Sequence, residues 1–112
     1  ENDRRRQHPR FEAQVMAANA QRRGVAEAVA LRLGASVAQV SLAWVLSKGV
    51  VPIPGTRHIA HLEANKAAED LVLSLADTAE LEAAFAPGTT VGERYPPEMM
   101  ATVPGRQAAP AS

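Results

Sequence analysis

A chain of 112 residues has room for one modest core, and its twelve basic and twelve acidic side chains cancel, leaving no field to favour nucleic acid or an anionic membrane. The absence of cysteine excludes a disulfide framework and thiolate metal sites and fits a reducing, cytoplasmic setting. Apolar residues reach 46%, but alanine supplies much of that, and no apolar run approaches the roughly 18 residues needed to span a bilayer.

Residues 1–10 are polar, with Arg4, Arg5 and Arg6 in a row before Pro9, and read as a solvated, extended segment. From Phe11 to Leu33 the pattern is helical, with Ala26, Val29, Ala30 and Leu33 recurring at spacings of three and four. Gly24 marks an expected break or weak point, and Gly34 an expected left-handed cap. Ser36 and Gln39 have the spacing of a capping box. The helix they open, about Val37 to Ser47, is apolar nearly all round and is expected to be buried on several sides. Gly49 closes it.

Val50 to Ile53 is a short apolar run of the kind that forms a strand buried on both faces. Pro52 and Pro54 lack N–H groups, but they lie two apart, so one edge is lost while the other can pair through Val51 and Ile53. Ile59, Leu62 and Ala67 then predict a helix from about His58 to Ala68. Ser74 with Asp77 predicts an N-cap for a helix from Leu75 to Phe85, with Leu75–Ala79 and Leu81–Phe85 stacked on its buried side. Pro87 and Gly88 stop that helix, and the last dozen or so residues are expected to fray. A lone strand has nothing to pair with, so either that element is misread or its sheet lies in other sequence.

Gly55, Thr56, Arg57 and His58 occupy the turn between the strand-like run and the next helix. First-turn N–H groups and the positive end of the helix dipole favour an anion there. Gly55 lets a phosphate approach the backbone, Thr56 offers a hydroxyl and Arg57 a forked cationic donor. The plainer alternative is that Thr56 caps the helix while Arg57 and His58 are solvated.

The stretches "GASVAQVSLAWVLSKGVVPIPGTRHIAHLEAN", "LSLADTAELEAAF" and "VGERYPPEMM" resemble the C-terminal part of the aldo-keto reductase family, and "ENDRRRQHPRF" is similar to the sequence that enters that region. The resemblance covers roughly residues 1–103. It implies an α/β fold, the C-terminal portion of a (β/α)8 TIM barrel, mostly helical within this chain and with one short strand. On it, residues 1–10 are a polar lead-in. Residues 11–85 are the last crossover helices, the eighth strand at Val50–Ile53, the eighth helix and an accessory helix; residues 86–112 are a C-terminal loop and tail. The family reduces aldehydes and ketones with NADPH at the C-terminal face of the barrel.

By the same resemblance Gly55 and Thr56 match the pair that contacts the 2′-phosphate of the cofactor, Arg57 is its cationic partner and Asn65 bonds the adenine. His61 stands where many members have arginine, and Ala64 where they have glutamate. A histidine, which loses its charge around neutral pH, grips phosphate less firmly than arginine, and Ala64 has no acceptor for the adenine amino group. The family's catalytic tyrosine, lysine, aspartate and histidine lie in earlier strands and loops. Tyr95, the only tyrosine, falls in the tail, and His8, His58, His61, Lys48 and Lys66 match no catalytic position. The chain alone is therefore expected to be inactive.

Two other readings compete. Ala30, Gly34 and Val40 have helix-turn-helix spacing, yet the second helix has no arginine or lysine before Lys48, a poor set for phosphate contacts with DNA. A stand-alone helical interaction module would use "VSLAWVL" as its partner face, or as a face for self-association.

Overall fold

The computed structural model describes residues 4–100 and 102–103. They fall into two compact units: the described residues within Glu1–Ala20 and Thr90–Ser112 form one, and Gln21–Thr89 the other.

In the first unit residues 4–10 are not extended as expected, and residues 1–3 lie outside the described residues. The chain forms 3₁₀ turns at Arg4–Gln7 and Pro9–Phe11. Pro9, with its fixed φ and no N–H, suits the first position of the second turn, and the Arg5 guanidinium lies 5.7 Å from the centre of the Phe11 ring. The Asn19 side-chain amide brackets Val91, donating to its carbonyl and accepting from its N–H at 3.0 Å each. Arg10 Nε donates to Gly92 O at 3.1 Å. Gly92 is the position where glycine is required: its φ is +86°, and a Cβ would stand 2.6 Å from Val15 Cγ1. A four-residue helix, Pro97–Met100, lies within the segment expected to be loop. The final residues, expected to fray, lie outside the described residues apart from Thr102 and Val103.

The long helix α1 spans Ala13–Leu33 without a break at Gly24. Glycine costs a helix about 1 kcal/mol relative to alanine. Here alanine-rich turns offset that cost, and an Arg23–Glu27 ion pair at 2.8 Å spans the site at i, i+4. Gly34, at φ +61°, ends the helix as expected. The chain bends by 96° between α1 and α2, Val37–Ser47. No single helix among the described residues is long and apolar enough to cross a membrane. The Ser36–Gln39 capping box is present, with Ser36 Oγ accepting from Gln39 N–H at 3.2 Å and Gln39 Oε1 accepting from Ser36 N–H at 2.9 Å. Gly49 follows the end of α2 at φ +71°.

Helix α3 spans Ile59–Ala67, continues into a 3₁₀ turn at Ala68–Asp70, and is followed by α4, Leu75–Ala84. The second capping box is also present, with Ser74 Oγ accepting from Asp77 N–H at 3.0 Å and Asp77 Oδ2 accepting from Ser74 N–H at 3.2 Å.

Val29, Val40 and Leu81 are the largest fully buried side chains, joined by Ala26 and Ala30 and flanked by Leu33, Trp44, Leu73 and Phe85. The core thus lies between α1, α2 and α4. Each large apolar side chain buried there contributes about 1.5–3 kcal/mol. Arg32 clamps α1 to α4, donating to Asp77 Oδ1 at 2.7 Å and to Glu80 Oε2 at 2.9 Å. The Ser74 hydroxyl, and after it the Arg32 guanidinium, hold the Asp77 carboxyl below the usual carboxylate range against the opposing push of burial. Lys48 pairs with Glu82, which ties the end of α2 to α4.

Helix α2 buries Val40 and Ala43 and half-buries Val37, Leu42, Trp44 and Val45, so it is covered on several sides as expected, by α1 and α4 and by α3 with its 3₁₀ turn. Two other expectations require correction. In α4 the Leu81–Phe85 pair faces the core, whereas Leu75 is 92% exposed. The inward-turned Asp77 sets the rotation of that helix, and two residues are about 200° of turn. Val50–Ile53 is not a strand: no strand occurs among the described residues, and Val51 and Ile53 are 83% and 93% exposed. The physical reason is the lack of a partner, because ladder hydrogen bonds need a second extended segment and the neighbours here are helices.

Candidate functional site

Between the N-terminal half of α2 and α3 lies a cleft of about 620 Å³. Four of the five residues singled out from the sequence line it: Gly55, Thr56, His61 and Asn65. The fifth, Arg57, is exposed, is absent from the lining, and has no ion-pair partner among the described residues. Its four-bond stem is long enough to swing over a ligand at the rim.

The chain reaches this cleft through Pro54 and Gly55. Thr56 then closes a small turn, its Oγ1 accepting from His58 N–H at 3.1 Å and donating to His58 O at 3.3 Å. The N-cap of α3 is His58, which makes no side-chain cap bond, so Thr56 sits two residues ahead of the cap instead of filling it. The long bond from its hydroxyl to a carbonyl leaves that proton able to turn to an anion. No acidic residue occurs in the first turn of α3, so nothing there competes with a negative ligand for the positive end of the helix. Asn65 lies on α3 one turn past His61, on the same face.

The opposite wall comes from α2 and was not foreseen. Ser36, Ala38, Ser41 and Leu42 complete the cleft. Gln39 holds the two walls together, its Nε2 donating to Ala64 O at 3.2 Å. The available signal was the capping box itself. It fixes Gln39 and the first turn of α2, and hence which side of α2 meets α3.

The cleft therefore has a polar mouth of hydroxyls, an imidazole and the Asn65 amide, and apolar walls from Ala38, Leu42, Pro54 and Ala64. That composition suits a largely apolar ligand with a polar end. Ala64 lines the cleft and presents its backbone carbonyl to Gln39. A second cleft, about 300 Å³, shares Leu42, Pro54 and Asn65 with the first and continues past Leu46, Val51 and Leu62.

Tyr95 lies in the other unit. Its ring meets the His8 ring edge-on at 5.7 Å between centroids, and the Arg94 guanidinium lies 5.5 Å from its centre. A clustered metal-ligand set of three or more His, Asp or Glu side chains is absent among the described residues.

Against known proteins, residues 1–86 match the model of the Aldo/keto reductase family. The Schizosaccharomyces pombe aldo-keto reductase yakc, whose name specifies NADP(+), is 35% identical over 99 residues, covering 87% of this chain and 29% of the relative. A Glycine max protein named "Probable aldo-keto reductase 1" is 41% identical over 90 residues, covering 79% of this chain and 26% of the relative. The chain thus spans less than a third of the length of these relatives. No solved structure matches it.

Proposed function

This chain belongs to the aldo/keto reductase family, and on that premise we propose that it supplies the adenine and 2′-phosphate end of an NADPH site in a carbonyl-reducing barrel. The observation that carries the reading is the convergence of Gly55, Thr56, His61 and Asn65 on one cleft at the start of α3. The Thr56 hydroxyl and the first-turn N–H groups meet the phosphate, and Arg57 closes over it from the rim. Asn65 bonds the adenine, whose faces lie against Leu42 and Pro54. Gly55 keeps the approach to the backbone open, since a Cβ there would meet nothing within 4 Å.

When bound, the cofactor supplies a hydride for the carbonyl carbon. The residues of this chain bind and orient it, and the groups that hand over the proton belong to other parts of the family's barrel. In that barrel the Val50–Ile53 run becomes the eighth strand once it gains a partner edge. Its exposed side chains then face neighbouring elements instead of water.

Binding of adenosine 2′,5′-bisphosphate tests the site. Backbone amide signals of Gly55–His61 and of Asn65 should shift on titration, with adenosine 5′-monophosphate much the weaker ligand. Equal affinity for the two nucleotides contradicts a 2′-phosphate site.

A further inference from the structure

Resting on that phosphate reading, we propose that His58 joins His61 to make anion binding in this cleft proton-linked, so that the site takes up a proton together with the phosphate monoester. The rings of His58 and His61 stand 5.2 Å apart between centroids, edge to face at 71°. His61 lines the cleft, and His58 is the N-cap of the helix at its mouth. Both are exposed, so each exchanges protons freely with solvent.

Histidine is the side chain whose charge changes between about pH 5 and 8. An anion seated beside an imidazole favours its charged form. Among the described residues neither histidine forms an ion pair with a carboxylate. On α3 itself Glu63 is two residues past His61, about 200° round the helix, and Lys66 is paired with Glu69 of the following 3₁₀ turn at 2.8 Å. Asp70 lies at the far end of that turn. From α2 the cleft receives hydroxyls and apolar groups; the 3₁₀ turn that carries Glu69 and Asp70 packs on that helix, and its C-cap Lys48 is paired with Glu82.

A phosphate monoester, with up to two negative charges, is such an anion. Its affinity therefore rises as pH falls from about 8 toward 6, until the ester, whose second ionisation is near pH 6, begins to lose its own charge. An arginine in place of His61 would grip the phosphate over the whole range. The histidine pair confines a firm grip to mildly acidic conditions.

The test is calorimetric titration of the 112-residue chain with adenosine 2′,5′-bisphosphate at several pH values, in paired buffers of different ionisation enthalpy. The expected result is affinity about tenfold higher near pH 6.5 than near pH 8, with net proton uptake around neutrality. His58→Gln and His61→Gln should each reduce the pH dependence, and the double variant should bind near pH 6.5 no more tightly than the parent does near pH 8. Proton-independent binding, or uptake that survives in the double variant, overturns the role of the histidines while leaving the phosphate site in place. No binding at any pH overturns both. Both side chains are exposed, so the variants should keep the parent's circular dichroism spectrum, which serves as the folding control.

Discussion

The core face shared by α1, α2 and α4 and the run from Val50 to Ile53 are both apolar in sequence, yet they end in opposite environments. Val29, Val40 and Leu81 are fully buried, whereas Val51 and Ile53 are 83% and 93% exposed. The difference lies in what each needs from a partner. A helix satisfies its own backbone and asks only for side-chain contact, which another nearby helix provides. An extended run must also find hydrogen-bonding partners for its backbone, and a helical neighbourhood offers none.

That contrast is open to direct attack. Its largest expected effect is at the core: Leu81→Ala should cost about 3 kcal/mol in urea unfolding, against less than about 0.5 kcal/mol for Ile53→Ala. Comparable costs would mean that the exposed run is packed in solution. A smaller effect is expected at the α4 cap, where Ser74→Ala should cost about 1 kcal/mol. The same junction sets an acid limit. The Asp77 carboxyl is held below its ordinary value in the folded chain, so its stabilisation is fully present above the usual aspartate value near pH 4 and is lost as pH falls through the lower folded value. Ser74→Ala removes the first cause of that depression and should flatten the acid limb of a stability profile. An unchanged limb would place the acid sensitivity elsewhere.

Local chemistry was legible in the sequence wherever it closes within a few residues. Both capping boxes, the glycine stops at Gly34 and Gly49, and the extents of α2, α3 and α4 to within a residue follow from spacing, because the groups that satisfy one another lie three or four positions apart. What failed depends on distant partners. The strand at Val50–Ile53 needs an edge that the helices do not supply, and the inward face of α4 is decided by the reach of Arg32 to Asp77 across 45 residues. Gly24 failed in the other direction, since the surrounding turns and the Arg23–Glu27 pair outweigh one glycine. Of the site, the turn and α3 were visible as Gly55, Thr56, His61 and Asn65. The α2 wall of Ser36, Ser41 and Leu42 was hidden because its approach to α3 depends on Gln39 reaching Ala64 O, 25 residues away.

The proposal that the cleft is the phosphate end of an NADPH site is tested most directly by kinetics of a chain that carries this segment within a complete barrel. Arg57→Ala should raise KM for NADPH about tenfold or more, the loss of a charge-assisted hydrogen bond, while leaving KM for NADH, which has no 2′-phosphate, within about twofold. An equal rise for both cofactors would contradict the assignment.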